Sequence, residues 1–225
     1  MKNNVLVIVA HPDDEILGVG GTILKHIKNG DQVSVLILGD GESSREGATV
    51  VNIKKRKKQI ERVAKMLKVV NIFIDELPDN QFDSLSLLKI AKKIEAIINK
   101  ISPNIVYTHH AYDLNIDHRL TFQAVLTACR PQPSFFVKKI STFETPSSTE
   151  WQIKNGQNYF CPNEYVNIEK FIDKKIDILK IYKDELRDYP HPRSVEGIKI
   201  LAKYRGMEIG YKYAEAFHVI RSLSD

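Results

Sequence analysis

The chain has 225 residues, of which 43% are hydrophobic and 27% charged. These fractions are close to the averages of globular domains, so they exclude a fibrous repeat and an intrinsically disordered chain. The 33 basic side chains exceed the 28 acidic ones, but the excess is mostly lysine spread along the chain. It permits attraction to an anionic substrate and is weak evidence for nucleic-acid binding. We therefore expect one domain that binds a small molecule.

Cysteine usage and the N-terminal residues indicate the cellular compartment. Cys129 and Cys161 match no zinc-finger or redox spacing, and two thiols do not make a disulfide scaffold in a chain of this length. The apolar run Val5–Ala10 is too short for a signal-peptide core or a membrane span. We expect a cytoplasmic protein without a membrane span. Composition does not locate an interface, so a homo-oligomer stays open.

Strand and helix patterns alternate over the first 130 residues. Continuous β-branched apolar runs predict strands buried on both faces, and apolar residues at helical spacing, ended by glycine or proline, predict helices. The predicted strands are Val5–Ala10, Gln32–Leu38, Asn71–Ile74 and Asn104–Thr108. The predicted helices are Gly20–Lys28, Val51–Leu67, Leu85–Ile101 and Asp117–Arg130. This order predicts a doubly wound α/β fold with right-handed crossovers.

The alternation ends after Arg130. Further strands are predicted at Phe135–Phe143, Gln157–Tyr165 and Ala216–Ile220, and further helices at Ile168–Leu186 and Val195–Ile209. No repeat or low-complexity linker divides the chain. We therefore expect a single domain over residues 1–225, with a core at 1–130 and a small, pocket-shaping C-terminal part at 131–225.

Metal-competent side chains follow two of the predicted strands. The first strand runs into His11–Glu15, and the fourth runs into the segment His109–His118, which is rich in histidine and aspartate. In open α/β sheets, ligands bind beyond the carboxyl ends of the strands, near the switch point in strand order. Adjacent parallel strands would bring both clusters to the same rim.

The spacing within these clusters suits a catalytic zinc, which takes three protein ligands and leaves a position open for water. His11 and Asp14 are three residues apart, so a tight turn can point both at one ion, and His118 would complete the set. Asp13 is then left beside the activated water, where a general base belongs. A mixed histidine and carboxylate set also suits Fe²⁺ or Co²⁺. For the first cluster alone, acidic capping of the following helix is the alternative interpretation.

These residues resemble a known family. The segment Ile8–Glu15, followed by the glycine-rich residues 18–21, is similar to the signature of the PIG-L/LmbE-like zinc-dependent N-deacetylases. Asp117–His118 resembles the second metal motif of that family, and Tyr213–Phe217 resembles its C-terminal region. The resemblance implies a Rossmann-like three-layer α/β sandwich with a mostly parallel sheet. It also implies removal of N-acyl groups, mostly acetyl, from amino sugars.

The resemblance assigns roles to the residues that match the two metal motifs. It implies that His11, Asp14 and His118 bind zinc and that Asp13 is the general base. It further implies that Asp117 orients a metal ligand without binding the ion itself.

One position departs from the family pattern. Many members have a histidine three residues before the last metal ligand, and this chain has Asn115 there. An asparagine can donate a hydrogen bond to an oxyanion but cannot act as a cationic acid. His109 or His110, at the end of the fourth predicted strand, could supply that acid; a structural role is the alternative for each.

Candidate substrate-binding residues lie in the loops after the strands. Arg45 follows the second strand, Asp79 follows the third, and Arg56 sits where the family often has an arginine that reaches the sugar. Arg56 also belongs to the basic run Lys54–Lys58, which is typical of a solvated helix face. His191–Arg193 is expected to open the helix at Val195, with a role in the pocket as the alternative.

The sequence thus predicts a metal-dependent hydrolase that removes an N-acetyl group from an amino sugar in a nucleotide sugar, glycan or glycoconjugate precursor. Two alternatives stay open, namely a deacylase of a non-sugar amide and a catalytically silent sugar-binding module on the same fold. A dinucleotide-binding loop at 18–21 is disfavoured, because the full glycine fingerprint is missing and the preceding carboxylates would repel a pyrophosphate.

Overall fold

A computed structural model describes residues 2–47, 49–132 and 137–224. Seven strands lie in these residues: β1 Asn4–Val9, β2 Gln32–Gly39, β3 Asn71–Leu77, β4 Ile105–His109, β5 Lys139–Phe143, β6 Glu164–Asn167 and β7 Ala214–Ser222. They form one sheet in the order β3-β2-β1-β4-β5-β7-β6. The first five strands are parallel to one another, whereas β7 pairs antiparallel with both β5 and β6.

Helices cover both faces of this sheet. They are α1 Asp14–Lys28, α2 Val50–Leu67, α3 Leu87–Ile101, α4 Ile116–Ala128, α5 Ile172–Leu179 and α6 Val195–Met207. Because side chains alternate along a strand, Val5, Val7 and Val9 of β1 pack toward α1, α2 and α5. Leu6 and Ile8 pack on the other face, toward α3 and α4. The three-layer fold and the mostly parallel sheet are therefore as predicted.

The first helix begins earlier than the sequence indicated, at Asp14 instead of Gly20. Its glycines lie inside the helix and allow close packing. A Cβ atom on Gly18 would lie 2.1 Å from the Phe143 ring, and one on Gly21 would lie 2.7 Å from Ile168. These glycines therefore let α1 pack closely against the C-terminal part of the chain. This packing accounts for the glycines, so a dinucleotide-binding role is not needed to explain them.

Several predictions after residue 130 need correction. The strand predicted over Gln157–Tyr165 begins only at Glu164, because residues 156–158 form a 3-10 turn and Pro162 has no N–H to donate to a ladder. The helix predicted over Ile168–Leu186 is α5 followed by a 3-10 segment at 180–185. Of the predicted strand Phe135–Phe143, residues 139–143 form β5, and residues 135 and 136 lie outside the described residues.

A buried ion pair fastens the C-terminal part to the first helix. The Glu215 carboxylate accepts hydrogen bonds from the Gly21 and Thr22 backbone N–H groups at 2.8 and 2.7 Å and pairs with Lys175 Nζ at 2.6 Å. Lys175 also donates to the Leu17 carbonyl at 2.8 Å. Strand β7 and helix α5 are thus fixed to α1 through buried charged groups.

No helix among the described residues is long and apolar enough to cross a membrane.

Candidate active site

Two loops meet where the strand order reverses beside β1. His11 and Asp13 follow β1 and lead into α1, while His118 lies in the first turn of α4, after β4. Strands β1 and β4 are parallel neighbours, so their carboxyl ends lie at one edge of the sheet. This edge at a reversal of strand order is where open α/β sheets bind ligands.

Three side chains at this edge form a candidate metal site. Asp14 Oδ2 lies 3.5 Å from His11 Nδ1 and 3.3 Å from His118 Nε2. One ligand atom from each residue falls within 4.8 Å of the others. Asp14 Oδ1 and His118 Nε2 are buried without a hydrogen-bond partner. Buried polar atoms rarely stay unpaired, and two imidazoles with one carboxylate suit zinc, iron or cobalt, so the donor set fits a divalent metal.

Two further carboxylates hold the His11 ring. His11 Nε2 lies 3.0 Å from Asp117 Oδ2 and 3.1 Å from Asp79 Oδ1. The other Asp117 oxygen accepts a hydrogen bond from the Phe82 backbone N–H at 3.0 Å, which fixes the carboxylate. Burial opposes the charge on His11, but the hydrogen bonds to Asp117 and Asp14 outweigh burial and raise its pKa to about 10. Asp117 therefore lies where it can orient His11 as a ligand.

Asp113 plays the corresponding part for His118, a role that the sequence analysis did not assign. Its Oδ1 atom lies 3.1 Å from His118 Nδ1, and its carboxylate accepts hydrogen bonds from the hydroxyls of Ser148 and Thr149. Burial disfavours the charge on His118, yet Asp14 and Asp113 raise its pKa to about 9. The sequence shows that Asp113 lies in the loop after β4, among other possible metal ligands. It does not show that Asp113 contacts His118.

Asp13 lies beside this cluster on a strained turn. Its φ of 114° is in the left-handed region, which is uncommon for a residue other than glycine, and the helix α1 begins directly after it. The Asp13 backbone N–H donates to Glu15 Oε2 at 3.0 Å, and Arg193 Nη1 donates to Asp13 Oδ2 at 3.0 Å. Burial raises the pKa of Asp13 to about 8. The side chain thus has the surroundings of a group that exchanges a proton.

A pocket of about 160 Å³ opens over Asp13 and His11. This volume is smaller than the roughly 300 to 1,000 Å³ that is usual for small-molecule sites. Its charged and amide-bearing lining residues are His11, Asp13, Arg45, Asp79, Asn80, Asn115, Glu185 and Arg193. The pocket therefore offers carboxylates, amides and two guanidinium groups to a polar ligand.

Residues 6–129 match the family model described as PIG-L: GlcNAc-PI de-N-acetylase. The chain belongs to the PIG-L family. A curated relative, the diacetylchitobiose deacetylase of Thermococcus kodakarensis, is 26% identical over 228 residues, which cover 96% of this chain and 82% of that protein. This relative is named for the removal of acetyl groups from an amino sugar.

Solved structures agree with this membership at the level of the fold. The conserved protein TT1542 from Thermus thermophilus superposes with a TM-score of 0.79 at 23% identity, over 99% of this chain and 97% of that one. GalB from Pseudomonas putida, a 4-carboxy-2-hydroxymuconate hydratase, superposes with a TM-score of 0.77 at 20% identity, over 100% of this chain and 98% of that one. Because this fold also carries a hydratase, the fold alone does not decide the reaction.

The predicted residues Asp79, Arg45 and Asn115 also line the pocket of this PIG-L protein. Asp79 accepts a hydrogen bond from the Ser44 hydroxyl next to His11. Arg45 lies on the rim, with its side chain 40% exposed and paired with Glu185. Asn115 caps α4, since its Oδ1 accepts from the Asp117 backbone N–H at 2.8 Å, and its Nδ2 group donates to an Asn80 oxygen.

Arg56 does not reach the pocket. It is buried, its Nε donates to Glu42 Oε1 at 2.8 Å, and its guanidinium pairs with Glu185 and lies over the Tyr182 ring. Arg56 is thus neither on a solvated helix face nor in the pocket lining. Its packing instead supports Glu185, which lines the pocket.

The two histidines at the end of β4 also lie outside the pocket lining. His109 Nε2 accepts a hydrogen bond from the Ala10 backbone N–H at 2.9 Å, and its ring stacks on His118. Burial and the neighbouring His118 lower the pKa of His109 to about 3. His110 faces the Asn158 carbonyl at 3.1 Å. The structure therefore does not support a cationic-acid role for His109 or His110.

Proposed function

We propose that the protein is a metal-dependent hydrolase that removes an N-acetyl group from an amino sugar in a nucleotide sugar, glycan or glycoconjugate precursor. One observation carries the proposal: the Asp13 carboxylate lies in the pocket beside the His11, Asp14 and His118 cluster. A hydrolase of this kind needs a metal site and a base at one edge of a pocket. The deacetylase relatives support the amide substrate.

The metal is assigned to His11, Asp14 and His118, with zinc as the expected ion and Fe²⁺ or Co²⁺ as alternatives. When bound, such an ion supplies Lewis-acid chemistry, polarising a carbonyl and making water more acidic. Asp117 keeps the His11 ring in place, and Asp113 lies against the His118 ring.

Asp13 moves the protons of the reaction. Its carboxylate takes a proton from the water that attacks the acetyl carbonyl carbon, and returns that proton to the nitrogen when the carbon–nitrogen bond breaks. This second transfer is assigned to Asp13 as well, because neither His109 nor His110 lines the pocket. The products are acetate and the free amine of the sugar.

Polar groups around the pocket hold the substrate. We assign the Asn115 amide, which lines the pocket, to donate to the developing oxyanion, and Asp79 to accept a hydrogen bond from a sugar hydroxyl. Arg45 offers a charge at the rim for an anionic group of the substrate. We assign the protein to the cytoplasm, where the free thiols of Cys129 and Cys161 would stay reduced.

Acetate release from metal-loaded enzyme tests the proposal. The substrates would be diacetylchitobiose, a nucleotide-linked N-acetylglucosamine, an N-acetylated amino acid and acetamide. Acetate is expected from one amino-sugar class, and Asp13→Asn should lower kcat about 10³-fold while metal binding persists. The exposed Asp188→Asn is the matched control and should keep wild-type activity.

Other outcomes would favour the alternatives. Faster release from the N-acetylated amino acid than from any sugar would indicate a deacylase of non-sugar amides. Sugar binding without release by the metal-loaded enzyme would indicate a silent binding module. Full activity of Asp13→Asn would contradict the assigned base.

A further inference from the structure

A single arginine from the C-terminal part contacts the Asp13 carboxylate. Arg193 lies 180 residues further along the chain, and its Nη1 donates to Asp13 Oδ2 at 3.0 Å. Within residues 2–47, 49–132 and 137–224, this is the one side chain that hydrogen-bonds that carboxylate. The other Asp13 oxygen accepts no hydrogen bond from the described residues. The contact is charge-assisted and directional, because a guanidinium presents its donors in a rigid plane.

Arg193 is itself held in place. Its Nε donates to the Pro146 carbonyl at 3.3 Å, and its Nη1 lies 3.8 Å from Glu185 Oε2. Its backbone N–H donates to His191 Nδ1 at 3.0 Å. The next residue, Ser194, caps α6 by accepting the Gly197 backbone N–H at 2.9 Å. The guanidinium is therefore fixed by the loop after β5, by the 3-10 segment and by the start of α6.

The main chain alone does not orient the base. The left-handed turn and the hydrogen bond to Glu15 fix the Asp13 backbone, but the carboxylate can still rotate about its two side-chain torsions. Proton transfer needs donor and acceptor within about 2.6 to 3.2 Å, so a rotated carboxylate loses reactivity. A fixed partner on one oxygen would keep the other oxygen turned toward the reacting water.

We propose that Arg193 is a positioning residue that holds the Asp13 carboxylate by one oxygen and so leaves the other oriented for proton transfer. The proposal rests on the proposed function, since it assumes that Asp13 is the base. It gives a specific task to the segment His191–Arg193, for which the sequence left a role in the pocket open as an alternative.

Two variants and a control test this role. Arg193→Ala should lower kcat for acetate release about 10²-fold and change KM less than about threefold, because misplacement of a catalytic group acts on the chemical step. Arg193→Lys keeps the charge without the planar fork, and its kcat should lie between those of the wild type and Arg193→Ala. Arg187→Ala is the control: Arg187 lies in the same loop, is exposed and bonds only backbone carbonyls.

Chemical rescue separates positioning from folding. Methylguanidinium at tens of millimolar should raise the kcat of Arg193→Ala at least about tenfold and leave Arg187→Ala unchanged, since it can reoccupy the place of the lost group. Metal content and the unfolding temperature should match the wild type. If Arg193→Ala does not fold, Arg193→Lys still provides the comparison of kcat with KM.

Three results would overturn the proposal. They are a wild-type kcat in both Arg193 variants, a loss confined to KM, or a kcat deficit that methylguanidinium does not reduce. Failure of this proposal is distinguishable from failure of the proposed function. In the first case Asp13→Asn is inactive while the Arg193 variants behave as wild type; in the second, the wild type releases no acetate.

Discussion

The two sides of the pocket are built differently. The metal side (His11, Asp14 and His118) comes from the loops after two neighbouring parallel strands, and its side chains are at most 12% exposed. The arginine side (Arg45, Glu185 and Arg193) comes from two segments far apart in the chain, with side chains 12 to 40% exposed. The ends of neighbouring strands thus hold the candidate metal ligands, whereas ion pairs between distant segments shape the ligand-facing surface.

Removal of the metal side should have the largest effect. His118→Ala deletes one of three proposed ligands, and we expect loss of bound metal and a fall in kcat beyond about 10⁴-fold, as for an enzyme without its Lewis acid. Metal content by atomic emission and acetate release would measure both. His218→Ala changes a histidine that bonds the Cys161 carbonyl, away from the pocket lining, and should keep metal and activity. Full metal occupancy in His118→Ala would contradict the ligand set.

The second prediction tests whether the two sides are independent by weakening the buried ion pair that joins the C-terminal part to α1. Glu215→Gln leaves Lys175 buried without its counter-charge, so the free energy of unfolding should fall by about 3 to 5 kcal/mol. Urea denaturation measures this fall. Glu169→Gln, which breaks an exposed pair with Lys212, should cost less than about 1 kcal/mol.

The folded fraction of Glu215→Gln sharpens the comparison further. Because the metal side lies on β1 and β4 loops, metal affinity should stay at the wild-type value in that fraction. Equal stability of the two glutamine variants, or weaker metal binding in folded Glu215→Gln, would show that the two sides are not built independently.

The smallest expected effect concerns Asp117, the carboxylate that holds the His11 ring of the metal side. Asp117→Asn weakens the contact that orients His11, and loss of such a partner behind a metal ligand lowers metal affinity about 10- to 100-fold. Competition with a chromophoric chelator would measure the affinity. Asp83→Asn, at an exposed carboxylate in the same loop region as Phe82, should leave it unchanged. An unchanged affinity in Asp117→Asn would remove Asp117 from the site.

Most of the sheet and the metal side could be predicted from the sequence. The apolar run of β1 is followed at once by the acidic turn, and strand pairing then brings His118 to the same edge. The beginning of α1 was predicted too late, because glycines count against a helix by intrinsic propensity. At Gly18 and Gly21 close packing against Phe143 and Ile168 overrides that propensity, and no local pattern reveals it.

The sequence by itself determined the family, the layers of the fold and the identity of the metal-competent residues, because these depend on local periodicity and on residues at the ends of neighbouring strands. Only the tertiary structure decided which polar side chains face the pocket. It buried Arg56 against Glu42, turned His109 into the core and brought Arg193 to Asp13. Such contacts depend on long-range packing, which spacing along the chain does not encode.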